Sequence, residues 1–147
     1  MSTAVFPGSF DPVTTGHVDL IRRASRMFDR LVVGVLVNSA KQPLFSKEER
    51  VAMLREITAD QDNIEVSSFE GLLVDFVKEQ HADAIVRGLR TPGDFEYELP
   101  LAQANHKLSV QADTIFLASA PEYSYISSSA VRELLRYQAD ISGYVPE

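Results

Sequence analysis

The chain has 147 residues, no cysteine, and 14 basic against 21 acidic side chains, for a net charge of −7. That length suits one domain over residues 1–147 with a core large enough to need no covalent staple, and the absence of cysteine excludes disulfides and thiolate metal sites. The negative balance argues against a duplex nucleic-acid binder relying on a broad basic face.

The opening residues, MSTAVFPGSFDP, lack the basic and long apolar regions of a secretory signal. No apolar run approaches the roughly 20 residues that cross a bilayer. The expectation is a soluble, cytoplasmic protein with neither nucleic-acid nor membrane partners.

Short β-branched or apolar runs alternate with segments of helical spacing. The first strand is expected over Ala4–Phe6, followed by a helix carrying Val18, Ile21, Ala24 and Phe28 at spacings of three and four. The second strand, Leu31–Val37, is apolar at nearly every position, as in a strand buried on both sides. Ser46 and Glu49 then form a capping-box pattern ahead of Val51, Leu54, Ile57 and Thr58. A third strand, Ile64–Ser67, precedes a helix with Leu72, Phe76 and Val77. A fourth, Ala84–Val86, precedes a helix opened by Pro92 and Asp94 and carrying Phe95, Leu99, Ala102 and His106. The last strand, Thr114–Leu117, leads to a helix with Val131, Leu134 and Leu135. The predicted fold class is α/β: a doubly wound, five-stranded parallel sheet with helices on both faces, Rossmann-like.

Ligands of such sheets bind beyond the carboxyl ends of the strands, so the segments there carry the functional reading. They bring Lys41, Arg87, Arg90 and a cluster of hydroxyls to one edge, a setting for a ligand with several phosphates. No GxxxxGK[ST] and no GxGxxG stands after a strand, which disfavours Walker-type hydrolysis and a dinucleotide cofactor. The first strand leads instead into a turn-rich loop ending in Thr14-Thr15-Gly16-His17 at a helix start, where free N–H groups face an anion. The same field is expected to lower the pKa of His17 and leave a neutral ring able to donate one hydrogen bond. Read alone, Asp11 orders this loop, Leu73 is core, and Arg87 and Arg90 form surface ion pairs with Asp94, Glu96 or Glu98.

PGSFDPVTTGH at residues 7–17, with ISSS at 126–129, resembles the TxGH nucleotidyltransferase superfamily; RGLR at 87–90 followed by DFEYE at 94–98 is similar to its phosphopantetheine adenylyltransferase branch. The resemblance runs from about residue 3 to residue 146. It implies that AMP passes from ATP to 4'-phosphopantetheine, giving dephospho-coenzyme A and pyrophosphate. By the same resemblance His17, Lys41 and Arg90 are catalytic. Ser9, Phe10, His17, Gly88, Leu89, Arg90, Glu98, Tyr123, Ser124, Tyr125, Ile126, Ser127, Ser128 and Ser129 bind ATP, and Ser9, Lys41, Leu73 and Arg87 bind the acceptor. It further implies Mg²⁺ held mainly through the ATP phosphates with no protein metal site, a homo-hexamer, and inhibition by coenzyme A. Family members commonly continue past the position of Glu147 with a further helical segment. The rival readings are another adenylyl- or cytidylyltransferase of the superfamily and a non-catalytic nucleotide sensor. RGLR with DFEYE speaks against the first, and the intact His17, Lys41 and Arg90 against the second.

Overall fold

A computed structural model describes residues 1–38, 40–109 and 112–146. Its elements run β1 (Thr3–Gly8), α1 (Thr15–Ser25), β2 (Arg30–Val37), α2 (Lys47–Ile57), β3 (Ile64–Glu70), α3 (Leu73–Glu79), β4 (Ala84–Leu89), α4 (Pro92–Leu108), β5 (Asp113–Ala118) and α5 (Ser128–Arg136), with a short 3₁₀ turn at Pro121–Tyr123. The strands form one parallel sheet in the order β3-β2-β1-β4-β5. The doubly wound α/β expectation holds, and all five predicted strands lie inside observed ones.

Side-chain alternation builds the two faces. Ala4 and Phe6 of β1, Leu31, Val33 and Val35 of β2, and Ala84 and Val86 of β4 pack with Leu20, Ile21 and Ala24 of α1 and Leu54 of α2. Val5, Val32 and Ile85 point the other way, toward Phe76 and Val77 of α3. The rings of Phe69 and Phe76 stack at 4.5 Å and lie over Gly34, where a Cβ would stand 2.7 Å from Phe76.

Helix boundaries follow the caps. Ser46 Oγ accepts the Glu49 N–H while Glu49 accepts the Ser46 N–H, completing the expected capping box of α2. Thr91 caps α4 by accepting the Asp94 N–H. Three residues of the helical pattern fall outside helices. Thr58 is the C-cap of α2. Leu72 is the N-cap of α3, and Phe28 lies beyond the end of α1, where it still packs against the core. An apolar side chain reaches the core as well from a helix flank as from the helix. Among the described residues no helix is long and apolar enough to cross a membrane.

The strand order reverses between β1 and β4, because β2 and β3 lie to one side of β1 and the chain then returns to its other side. The loops leaving the carboxyl ends of these neighbouring strands therefore diverge and leave a crevice.

Candidate active site

That crevice is a cleft of about 360 Å³. The β1–α1 loop supplies its floor. Phe10 is buried and takes a left-handed backbone conformation, φ +50°. Its ring meets His17 edge-on, with centroids 5.0 Å apart.

His17 is the third residue of α1 and belongs to an unusual capping box. Its backbone N–H donates to Thr14 Oγ1 at 3.2 Å, and the Thr14 backbone N–H donates to His17 Nδ1 at 3.0 Å. A backbone N–H can only donate, so Nδ1 must be unprotonated and the neutral ring carries its proton on Nε2. Burial, followed by the nearby charges of Arg90 and Arg87, lowers the pKa of His17 from 6.5 to about 4. The neutral ring expected from the sequence is borne out. The leading cause is desolvation rather than the helix field.

β4 and α4 supply the opposite wall. Arg87 donates through Nε and Nη2 to both carboxylate oxygens of Glu98, at 3.0 and 2.6 Å, and through Nη1 to the Pro7 carbonyl at 2.7 Å. Glu98 is buried, so this is not the surface pair expected from the sequence. Arg90 is more open. Its backbone N–H and its Nε both donate to Asp94 Oδ2, and its Nη1 reaches the Ile126 carbonyl at 3.4 Å. Gly88 lets α1 close against β4, since a Cβ there would collide with Leu20 Cδ1.

The start of α5 closes the third side. Ser127 caps the helix by accepting the Ala130 N–H, and Ser128 Oγ donates to the Pro12 carbonyl at 2.7 Å. The N-termini of α1 and α5 thus face the same space, and each offers backbone donors and a positive dipole end to an anion.

Of the residues singled out in the sequence, Ser9, Phe10, His17, Arg87, Gly88, Arg90, Glu98, Tyr123, Ile126, Ser127, Ser128 and Ser129 line this cleft. Leu89, Ser124 and Tyr125 sit on the same segments but outside its lining, and Tyr125 stands exposed with its ring against Tyr144. Lys41 is exposed on the β2–α2 loop and does not line the cleft. Leu73 begins α3 and packs against the second core cluster.

Asp11 orders the loops as expected. Its buried carboxylate accepts the N–H groups of Leu44 and Phe45, both at 2.8 Å, and so anchors the loop that carries Lys41. Two arginines escaped the sequence reading. Arg132 lines the cleft and donates to the Asp11 carbonyl and to Ser129 Oγ; its spacing of three from Ser129 on a strongly amphipathic helix was the available signal. Arg50 is buried beneath the β1–α1 loop, and no local pattern marks it.

Comparison with known proteins fits this geometry. Residues 5–134 match the cytidylyltransferase-like family. The phosphopantetheine adenylyltransferase of Lachnoclostridium phytofermentans is 53% identical over 146 residues, covering 99% of this chain and 90% of the relative. That of Caldanaerobacter subterraneus subsp. tengcongensis is 50% identical over 147 residues, covering 100% and 92%. This chain belongs to the phosphopantetheine adenylyltransferase family. Among solved structures, a putative nicotinate-nucleotide adenylyltransferase from Vibrio parahaemolyticus superposes with a TM-score of 0.73 at 18% identity, covering 100% of this chain and 88% of that one. It shares the fold. Members of this family are nucleotidyltransferases, which places the cleft's anion-facing groups in a phosphoryl-group context.

Proposed function

We propose that this chain transfers AMP from ATP to 4'-phosphopantetheine, releasing pyrophosphate and forming dephospho-coenzyme A. Family membership supports the reaction, and the observation that carries the mechanism is the neutral His17 with its proton on Nε2 at the start of α1.

A phosphate oxygen of the acceptor attacks the α-phosphorus of ATP. A new P–O bond forms there, and the bond to the β-phosphate's bridging oxygen breaks. Phosphomonoesters have a second pKa near 6, so the attacking phosphate is largely dianionic at neutral pH and no protein nucleophile is required. The protein's task is then alignment and dispersal of charge. In this reading His17 Nε2–H donates to the α-phosphoryl oxygen as charge builds on it. Arg90, with its side chain 37% exposed, and the helix N-termini hold the departing pyrophosphate. Arg87, fixed by Glu98, faces the acceptor, and Lys41 contributes from its loop to the attacking phosphate. Ser9 and Phe10 lie between the two substrates.

Magnesium would serve by neutralising the triphosphate. The described residues contain no group of three or more His, Asp or Glu that could hold a metal ion. Of the cleft carboxylates, Asp94 is paired with Arg90 and Glu98 with Arg87. These residues do not form a cation site of their own, so we assign the ion to the nucleotide's oxygens.

The reading extends to a cytoplasmic hexamer inhibited by coenzyme A. Exposed Phe95, Leu101 and Leu108 on α4 support coverage of that helix by another copy, and analytical ultracentrifugation tests it.

The test of the reaction is pyrophosphate release with ATP and Mg²⁺ and one acceptor at a time. Phosphopantetheine should turn over efficiently, while nicotinate mononucleotide, glycerol 3-phosphate and phosphocholine should not. Comparable turnover with any of those three would overturn the acceptor assignment.

A further inference from the structure

Arg50 of α2 is 4% exposed, yet no carboxylate among the described residues pairs with it. Among the described residues its guanidinium donates to carbonyls alone. Nη1 donates to Ser9 O at 3.0 Å and to Leu36 O at 3.1 Å, and Nε to Ser46 O at 3.4 Å. A buried cation without a counter-charge is costly, so its retention asks for a reason beyond packing.

The Ser9 contact supplies one. The Ser9–Phe10 peptide is trans, so its C=O and N–H point in opposite directions. Because Arg50 draws the Ser9 carbonyl down toward α2, the Phe10 N–H is turned the other way. Among the described residues that N–H has no hydrogen-bond partner, and Phe10 lines the cleft. Phe10 also holds φ +50°, a conformation a bulky residue keeps only where its surroundings over-determine it. Arg50 fixes the carbonyl on one side of Phe10 and Arg132 that of Asp11 on the other, at 2.7 Å. The Phe10 ring in turn packs edge-on against His17.

We propose that Arg50 is a positioning residue for AMP transfer: by holding the Ser9 carbonyl it presents the Phe10 N–H to the substrates and seats the Phe10 ring against His17. This rests on the reaction proposed above. Arg50 touches no reacting atom, so its effect falls on alignment far more than on the affinity for ATP.

The experiment compares wild type, Arg50→Met and Arg50→Lys. It reads kcat for pyrophosphate release, Kd for ATP alone by calorimetry, and the His17 titration by NMR. Arg50→Met is expected to lower kcat roughly 10- to 100-fold, the scale of small misplacements in an aligned site. Its Kd for ATP should stay within about threefold of wild type. The His17 midpoint should rise from about 4 toward 6.5 as the ring loses its cover. Arg50→Lys keeps a cation but not the planar fork, and should recover part of the loss. A kcat within about twofold of wild type in Arg50→Met overturns the proposal. So does an equal fall of kcat and ATP affinity with an unmoved His17 midpoint. Should Arg50→Met fail to fold, Arg50→Lys decides by the same split, and wild-type kcat in it overturns the proposal. A wild-type protein that released no pyrophosphate would defeat the reaction itself, which is a separate outcome.

Discussion

Arg87 and Glu98 are joined by two parallel hydrogen bonds, and the pair ties the end of β4 to the second turn of α4. The side chains are 31% and 10% exposed, so the carboxylate is the more deeply enclosed partner. Removing the arginine would strand a buried charge, whereas removing both groups would not.

Arg87→Ala should therefore destabilise the protein by about 2–3 kcal/mol, near the lower end for a broken buried pair because Arg87 is partly solvated. The double variant Arg87→Ala, Glu98→Ala should be more stable than the single one. If Arg87 also serves the acceptor, both variants should show a raised KM for phosphopantetheine with little change for ATP. Thermal unfolding and steady-state kinetics on the same preparations separate the two effects. An unchanged KM in the double variant would reduce Arg87 to a structural role.

The pH behaviour of His17 is set by its hydrogen bond. Protonation requires Nδ1, which already accepts the Thr14 N–H. An unfolded histidine takes up its proton near 6.5 and the folded one near 4, so between these values the unfolded chain binds more protons. Stability contributed by this group is then intact above about pH 6.5 and falls progressively as the pH drops toward 4, by roughly 3 kcal/mol at most. NMR should show no His17 titration from about pH 5.5 to 8. A midpoint near 6.5 would mean that the ring is free of its cap.

His17→Ala tests the chemistry directly. A donor aimed at developing charge acts in the transition state more than in the ground state, so kcat should fall by about 100-fold or more. The Kd for ATP should change far less. A near-normal kcat would remove His17 from the mechanism.

Most of the fold could be read in the sequence because it is set by local signals. The apolar run of β2 shows burial on both faces, and the Ser46–Glu49 spacing places the start of α2. The loop residues of the cleft were likewise legible, since 9–17, 87–98 and 123–129 stand at or beyond the carboxyl ends of β1, β4 and β5. Arg50 was not. Within Lys47-Glu48-Glu49-Arg50 it reads as one more solvated charge, and only a contact 41 residues away in sequence, to the Ser9 carbonyl, gives it meaning. The pairing of Arg87 with Glu98 was legible as a possibility, but its burial depends on how α4 packs against the sheet.

Lys41 stands exposed outside the cleft lining while its loop is tethered by Asp11. An exposed ammonium acts on an incoming dianion through solvent, so its influence must weaken with salt over a Debye length of about 10 Å at 0.1 M. If Lys41 guides the acceptor phosphate, kcat/KM for phosphopantetheine should fall as ionic strength rises. Lys41→Ala should lower kcat/KM and flatten that dependence. Asp11→Asn should mimic part of the loss without touching the cation. An amide offers one acceptor where the carboxylate offers two, and its NH₂ would face the N–H of Leu44 or Phe45, so the loop would lose one anchor. The measurement is kcat/KM for both variants across a salt series at saturating ATP. Parallel salt slopes in wild type and Lys41→Ala would place Lys41 outside the acceptor's path, whatever the size of the loss in rate.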